Sequence, residues 1–387
     1  MIPSGSVVWF PGVGWDEVTG TDRLLATEVS RQRPVLWVDP PVPLQHWLRT
    51  EGLRGLLRPV RCIRRSPSLV TIRTVGPPWP NRRATWRLSS WRAGRAARAA
   101  LRRTGPRPTV EVVATPQPRP RTGGTRVYYA TDDFAAGAAL LRIDPARLAG
   151  WEHRQLTDAR VRLAISPALA RRWSETGHDS LVLPNGCDPG LRRRVATASR
   201  PEGFRLSGPV AGVVGQLSPR LDLALLEAVA DAGLSLLLVG PLDPALEPAR
   251  AAALLARERV QWVGRQPVER LPGYLAAMDV GLTPYRRTAF NEASIPLKTL
   301  EYLAAGVPVV STPLPALDLL PAGLVTTAGT PEAFAEAAAL AAAGPPAGWP
   351  ERSLAWAREN SWGARADTLL AAADEHGGLA PVRPAWH

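Results

Sequence analysis

Lysine is almost absent from this chain of 387 residues: of its 47 basic residues, Lys298 alone is a lysine and all the others are arginines. Cysteine is also scarce. Cys62 and Cys187 are the two present, which excludes a disulfide framework and a cysteine-rich metal site and favours a reducing compartment. The five histidines lack the close spacing of zinc ligands. We therefore expect no bound metal and no other cofactor.

Long hydrophobic runs are missing as well. Acidic residues or prolines interrupt every apolar stretch before it reaches the roughly 18 residues of a spanning helix, so we expect no transmembrane segment. The first residues lack the basic run and cleavage site of an export signal. With 45% apolar residues, a chain of this length suits two globular domains. The expected location is the cytoplasm.

Positive charge is concentrated in one segment, residues 46–103. It holds 15 arginines and a single acid, Glu51, whereas the net charge of the whole chain is +13. Leucines and tryptophans recur between these arginines, as is typical of proteins that rest on an anionic membrane, where each basic residue contributes about 1 kcal/mol. Solvated helix faces are the alternative interpretation. Nucleic acid is disfavoured, because the chain lacks the signature of a nucleic-acid-binding module.

Short β-rich runs alternate with longer helical patterns along the chain, which predicts an α/β fold with parallel sheets. The turn-rich stretch from Arg192 to Pro201 places the domain boundary near residue 200. We thus expect domains at 1–200 and 201–360, followed by a helix and tail at 361–387. The predicted strands are 7–10, 35–38, 69–72, 110–113, 127–129, 161–165 and 181–183 in the first domain, and 210–214, 234–239, 260–263, 280–282 and 309–311 in the second.

The first strand is followed by a glycine turn, Gly12-Val13-Gly14-Trp15-Asp16. It resembles the start of a dinucleotide fingerprint, but Glu17 stands where the third glycine belongs, which disfavours NAD. Such a turn still lets the backbone approach a ligand and presents the amides of the next helix to an anion. Asp16, together with Asp132 and Asp133 after a later strand, could orient or deprotonate an acceptor, or could be ordinary turn residues.

In the second domain, glycine, proline or arginine follows each predicted strand. Open α/β sheets bind ligands at these carboxyl ends, so a phosphorylated ligand is expected there. The candidate residues are Gly215, Arg220, Gly264 and Arg265.

Lys298 lies in the first turn of a predicted helix that begins at Pro296 and ends at Gly306. Glu301 is three residues further on and hence on the same face. A first-turn lysine, added to free helix amides and the positive end of the helix dipole, favours a diphosphate, and a carboxylate can accept hydrogen bonds from a ribose diol. An exposed surface pair is the alternative interpretation.

The run PLKTLEYLAAGVPVVST at residues 296–312 resembles the donor-site signature of group 1 glycosyltransferases with the GT-B fold, in the bacterial branch of teichuronic-acid-type transferases. Other blocks are similar to that family: WVDPP at 37–41, YYATDD at 128–133, SPAL at 166–169, PNGCD at 184–188 and SWGARA at 361–366. The resemblance implies two Rossmann-like domains facing each other across a cleft, with the C-terminal helix packing back on the first domain.

The resemblance also implies roles for individual residues. Lys298 and Arg220 would bind the diphosphate, Glu301 the ribose, and Gly215 would give the phosphates room. Gly12 and Gly14 would lie beside the sugar and the acceptor. Where relatives carry a second glutamate, this chain has Ala293, and Asn291 or Ser294 are candidates to replace that contact.

The predicted function is therefore transfer of a sugar from a nucleotide-diphosphate sugar to a lipid-linked, cell-envelope or small-molecule acceptor. The resemblance implies retention of anomeric configuration and no obligatory metal. The enzyme would lie peripherally on the inner face of the plasma membrane through its arginines. Two alternatives remain: a non-catalytic protein that binds sugar nucleotides or polyanions, and a GT-B sugar-nucleotide epimerase.

Overall fold

A computed structural model describes residues 5–17, 19–57, 59–77, 83–104, 108–138, 143–293 and 296–376. The chain divides into two compact units. The first contains the described residues up to Pro184 and those from Trp362 onward, and the second is Asn185–Ser361. The division thus falls earlier than residue 200, because Leu191 in the intervening segment is buried in the core of the second unit.

The first unit is built on a sheet whose strands lie in the order β3-β5-β2-β1-β6-β7-β8-β9. Neighbours in this order are parallel, while β4 pairs with β5 in the antiparallel direction. The strands are β1 Val7–Phe10, β2 Val35–Val38, β3 Val42–Pro43, β4 Val60–Ser66, β5 Leu69–Gly76, β6 Val110–Val113, β7 Thr125–Ala130, β8 Val161–Ala164 and β9 Leu181–Val182. The helices are α1 Thr21–Gln32, α2 Leu44–Glu51, α3 Arg83–Thr104, α4 Pro145–Asp158 and α5 Pro167–Ser174.

The second unit has a parallel sheet in the order β12-β11-β10-β13-β14-β15. The strands are β10 Val210–Val214, β11 Ser235–Val239, β12 Val260–Trp262, β13 Val280–Thr283, β14 Val309–Ser311 and β15 Val325–Thr327. The helices are α6 Leu191–Ala196, α7 Leu223–Asp231, α8 Pro248–Leu255, α9 Leu271–Ala276, α10 Ala289–Glu292, α11 Leu297–Ala305, α12 Pro331–Ala342 and α13 Trp349–Glu359. These alternating elements confirm the predicted α/β class.

Strand β10 pairs with β11 on one side and with β13 on the other, so the strand order reverses between β10 and β13. In open parallel sheets a ligand crevice forms at the carboxyl ends of the strands flanking such a point. Buried apolar side chains fill both faces of this sheet, which keeps the strand ends in register. The second unit therefore offers its binding edge where β10 and β13 end.

The last described helix, α14 (Trp362–Glu375), belongs to the first unit and packs against α1. Gln32 Nε2 donates a hydrogen bond to Asp367 Oδ1 at 2.6 Å, and Arg33 forms an ion pair with Asp374. This confirms that the C-terminal helix packs back on the first domain. Among the described helices, none combines the length and the apolar character needed to cross a bilayer.

Candidate functional site

The first turn of α11 brings a lysine and a glutamate into direct contact. Lys298 Nζ lies 2.6 Å from Glu301 Oε2, and the two side chains are 23% and 25% exposed. Pro296 precedes the helix, and Gly306 ends it in the left-handed region at φ 81°. The predicted helix, with Lys298 in its first turn, is therefore present.

The position of α11 on the sheet is set by Tyr302, whose side chain is fully buried. The N–H of Val214, the last residue of β10, donates a hydrogen bond to Tyr302 Oη at 2.7 Å. A Cβ on Gly281 of β13 would lie 2.5 Å from the tyrosine ring, so the ring rests directly on that strand. Burial raises the pKa of Tyr302 well above its ordinary value. The helix start is thus held at the crevice between β10 and β13.

Three glycines, Gly215, Gly240 and Gly264, form a side-chain-free margin beside Lys298, which we call the glycine edge. They follow β10, β11 and β12, and their φ angles are +135°, +147° and +67°, a region that disfavours side chains. A Cβ on Gly240 would lie 1.8 Å from the carbonyl oxygen of Gly215, and one on Gly215 would lie 3.5 Å from Lys298 Cε. The glycine edge therefore presents backbone without side chains, starting next to Lys298.

Arg220 lies in the loop after β10 and is held by Asn291 of α10. Arg220 Nε donates to Asn291 Oδ1 at 2.8 Å, and Asn291 Nδ2 donates to the carbonyl oxygens of Arg220 and Arg286 at 3.2 and 2.8 Å. The guanidinium also packs over the rings of Phe290 and Tyr285, at 4.8 and 5.2 Å from their centres. Since Asn291 is 1% exposed, the structure gives it the position of a support for Arg220.

Burial raises the pKa of Tyr285, while the positive charges of Arg220 and Lys298 act in the opposite direction and the charge of Glu301 adds to the rise. All three charged groups are therefore close enough to Tyr285 to act on it. The structure brings together Lys298, Glu301 and Arg220 at the end of β10, next to Gly215.

The other predicted residues of this unit are more dispersed. Arg265 is exposed, beside Gly264. Ala293 is buried, and neighbouring Glu292 forms an ion pair with Arg287 at 3.1 Å. Ser294 lies outside the described residues.

In the first unit, the turn after β1 is anchored by a buried acid that sequence reasoning missed. The N–H of Gly12 donates to Asp22 Oδ2 at 3.3 Å, and Asp22, in the first turn of α1, is 7% exposed. Burial raises the pKa of Asp22 to about 7, with a further rise from the nearby charge of Asp132. The Gly12 turn and Asp132 therefore both lie near Asp22. The sequence signal that could have identified Asp22 is an acid in the first turn of a predicted helix.

The remaining acids predicted in the first unit are engaged by arginines. Asp16 forms an ion pair with Arg65. Asp133 is buried, lies 3.1 Å from Arg172 and accepts a hydrogen bond from the N–H of Ala136. The carbonyl oxygen of Gly14 accepts from the N–H of Glu17 at 3.1 Å, which closes the turn.

Residues 208–342, which include the glycine edge, Arg220, Lys298 and Glu301, match the family model described as Glycosyl transferases group 1. The chain carries a group 1 glycosyltransferase domain. The chain is also similar in sequence to a known relative: 110 of its residues are 36% identical to TuaH of Bacillus subtilis (strain 168), a protein assigned to teichuronic acid biosynthesis as a glycosyltransferase. That match spans 28% of this chain and 28% of TuaH.

Solved structures extend the fold comparison to nearly the whole chain. An α,α-trehalose-phosphate synthase (UDP-forming) from Burkholderia xenovorans, in complex with glucose-6-phosphate, matches with a TM-score of 0.69 at 14% identity and covers 96% of this chain and 100% of its own. WaaG, a glycosyltransferase involved in lipopolysaccharide biosynthesis, matches with a TM-score of 0.62 at 17% identity, over 97% and 100%. The fold is GT-B, as predicted.

The geometry of the group 1 domain suits a diphosphate. Two cationic side chains, Lys298 and Arg220, lie at the crevice with the N-terminal end of α11, and all three favour an anion. The glycine edge allows a phosphate to approach the backbone closely, because no side chain lies in the way. Glu301 adds an acceptor for hydroxyl groups beside the lysine.

Proposed function

We propose that the protein is a glycosyltransferase that moves a sugar from a nucleoside-diphosphate sugar to a cell-envelope or lipid-linked glycan, with retention of anomeric configuration. The observation that carries the proposal is the 2.6 Å Lys298–Glu301 pair at the start of α11, inside the matched group 1 domain. The similarity to TuaH supports a cell-envelope acceptor. The UDP-forming neighbour supports a nucleotide donor.

Breaking the glycosidic bond leaves a nucleoside diphosphate whose negative charge grows as the sugar departs. Lys298, Arg220 and the α11 amides would stabilise that charge more in the transition state than in the bound donor, which is how such groups accelerate a reaction. Glu301 would accept hydrogen bonds from the ribose diol. The ammonium of Lys298 would then serve both groups, since it has three N–H donors and its bond to Glu301 uses one of them.

In the first unit, the acceptor would be oriented by the turn that contains Gly12 and Gly14. We propose Asp132, after β7, as the carboxylate that orients or deprotonates the acceptor hydroxyl. Asp22 would keep this turn in place by accepting a hydrogen bond from the N–H of Gly12. We further propose that the reaction needs neither a cofactor nor a metal ion, so that turnover persists in excess EDTA.

The decisive test compares Lys298→Ala, Lys298→Arg and Arg31→Ala. Arg31 forms an ion pair with Glu28 at the same i,i+3 spacing on α1, at 2.8 Å, so its removal is a matched control. We expect Lys298→Ala to lower kcat/KM at least about 100-fold, in the range of losing one transition-state charge contact. Lys298→Arg should also be poor, because the planar guanidinium does not replace a compact ammonium. Wild-type turnover in Lys298→Ala would contradict the proposal.

A second candidate, a non-catalytic binder of sugar nucleotides, is favoured by Ala293, which is buried and brings no carboxylate to the position where relatives have one. The same assay separates the candidates. Nucleotide-sugar binding detected by thermal shift, without transfer to any envelope extract, would support the binder. A new sugar nucleotide formed without acceptor would identify an epimerase.

We also propose that the arginine-rich segment docks on an anionic membrane surface at the cytoplasmic face. Three of its large apolar side chains are largely exposed: Leu53 by 77%, Leu57 by 84% and Trp91 by 51%. Exposed arginines accompany them, namely Arg49, Arg54, Arg64, Arg92 and Arg95. Leucines that insert beside basic side chains are typical of interfacial anchors.

Liposome co-sedimentation tests this docking. We expect the protein to bind vesicles that contain anionic lipid and to leave neutral vesicles unbound. The double variant Leu53→Ser/Leu57→Ser should bind at least about tenfold more weakly, because two exposed leucines that would insert into the bilayer interface are lost. Leu340→Ser is the matched control, since Leu340 is 74% exposed on α12 of the second unit. Binding that is independent of lipid charge would contradict the proposal.

A further inference from the structure

The indole of Trp262, at the end of edge strand β12, is exposed yet fixed in orientation. Its side chain is 43% exposed, and its Nε1 donates a hydrogen bond to the carbonyl oxygen of Gly240 at 2.8 Å. An exposed aromatic side chain with such an anchor presents a preset face to the solvent. This face lies at the carboxyl edge of the sheet, where ligands of open α/β sheets bind.

Gly240 links Trp262 to the lysine site through consecutive contacts. Its own backbone lies against the carbonyl oxygen of Gly215, and Gly215 lies against Lys298. The N–H of Gly240 also donates to the carbonyl oxygen of Gly264 at 2.8 Å, which ties the loop after β12 to the same edge. Since neighbouring strands lie about 4.8 Å apart, the glycine edge spans about 10 Å between β10 and β12.

The glycine edge has the aromatic ring of Trp262 at one end and the ammonium of Lys298 at the other. A nucleoside diphosphate likewise has an aromatic base at one end and a negatively charged diphosphate at the other. We propose that Trp262 is the stacking platform for the base of the donor nucleoside, with the glycine edge lying under the linker between base and diphosphate. This inference rests on the proposed function, because it takes Lys298 as the diphosphate contact. Every base has a π-face, so the platform selects nucleotides over other polyanions without choosing one base.

A purely structural role for Trp262 makes a different prediction. In that case the indole N–H, by binding Gly240, would hold the glycine edge in shape, and losing it would weaken every ligand of the site alike. Trp262→Phe separates the two roles, because phenylalanine keeps an aromatic face and lacks the N–H donor. Trp262→Ala removes both the face and the donor.

The experiment measures Kd by titration calorimetry for the wild type, Trp262→Ala, Trp262→Phe and the control Trp91→Ala. The ligands are UDP, ADP, GDP, CDP and dTDP, together with inorganic pyrophosphate. We expect Trp262→Ala to weaken the tightest nucleoside diphosphate at least about fivefold, the lower range for loss of a stacked base. Pyrophosphate affinity should stay within about twofold in all variants, and Trp262→Phe should retain most of the nucleotide affinity.

Three outcomes would overturn the inference. If Trp262→Ala weakens pyrophosphate and nucleotide equally, the residue is structural, and if it weakens neither, it contacts no base. If Trp262→Phe behaves as Trp262→Ala does, the N–H bond rather than stacking is what matters. In all three cases, the proposed function is not contradicted as long as the wild-type protein binds a nucleoside diphosphate. A wild-type protein that binds none of the five nucleotides would instead overturn the proposed function itself, and the platform with it.

Discussion

The carboxyl edges of the two sheets differ although the strands of both sheets are mainly parallel. In the second unit, a glycine directly follows β10 and another directly follows β11, and the side chains that reach this edge include the cations of Lys298 and Arg220. In the first unit, acids follow the central strands, among them Asp39 after β2 and Asp132 after β7. Carboxylates at an edge disfavour a diphosphate, and cations favour it. The contrast supports assigning the donor to the second unit and a hydroxyl-bearing acceptor to the first.

The tryptophans sharpen this contrast. In the first unit, Trp15 lies in the turn after β1. The backbone N–H of Trp15 and the indole Nε1 of Trp37 both donate to Asp39 Oδ1, at 2.8 and 2.7 Å. The corresponding turn of the second unit begins at Gly215, with open backbone. The carboxyl edge of the first unit is thus occupied by aromatic and acidic side chains. At the edge of the second unit, glycines in conformations that disfavour side chains leave the backbone open.

The largest expected effect comes from Gly240→Ala, which would break the bare edge. A Cβ there would lie 1.8 Å from the carbonyl oxygen of Gly215, and the φ of +147° is unfavourable for alanine. We expect the second unit to lose at least about 4 kcal/mol of stability or to fail to fold, since backbone must move. Thermal unfolding and nucleotide binding measure this.

Gly344→Ala is the control for that prediction. Gly344 has a comparable φ of +127°, but no atom would lie within 4 Å of its Cβ. Its substitution tests backbone strain without a clash, at a cost of about 1–3 kcal/mol. Equal losses in the two variants would show that the close packing of Gly240 on Gly215 contributes nothing.

A smaller effect is expected from Asn291→Ala. Without the side-chain amide, Arg220 Nε loses its acceptor and the carbonyl oxygens of Arg220 and Arg286 lose their donor. Nucleoside-diphosphate affinity should fall about tenfold, since a hydrogen bond to a charged group contributes about 1.5–3 kcal/mol. The Kd is measured beside Asn360→Ala, which removes the bond from a helix-end asparagine to Trp356 in the same unit. Unchanged affinity would mean that Arg220 is positioned without Asn291.

The parts of the fold and site that could be predicted from sequence depend on local signals. Pro296 and Gly306 punctuate α11, so the first-turn place of Lys298 and its contact with Glu301 follow from helix geometry. Likewise, most strands could be predicted from short β-rich runs bounded by turns, because buried parallel strands are nearly continuous apolar runs.

Other features depend on contacts between distant parts of the chain. Arg220 and Asn291 are 71 residues apart, so the support of one by the other has no local pattern. Strand β4 was not predicted, because three of its seven residues are arginines and none of the seven is fully buried, so it lacks an apolar run. Its pairing with β5 makes it a strand. The orientation of Trp262 depends on a hydrogen bond across 22 residues. Such features follow from tertiary packing, which sequence periodicity does not record.

A pH-dependent effect is expected at the acidic edge, through Asp22→Asn. Burial raises the pKa of Asp22 from 3.8 to about 7, so the folded protein keeps this proton after the unfolded chain has lost it. Stability should therefore fall as pH rises from about 4 to about 7, by at most about 4 kcal/mol. Asparagine keeps an acceptor for the Gly12 N–H without ionising, so Asp22→Asn should flatten this decline and raise Tm at pH 8. If the variant and the wild type lose stability in parallel over this range, Asp22 is ionised in the folded protein. The edge beneath the Gly12 turn would then hold a fixed negative charge, which would disfavour an anionic acceptor there.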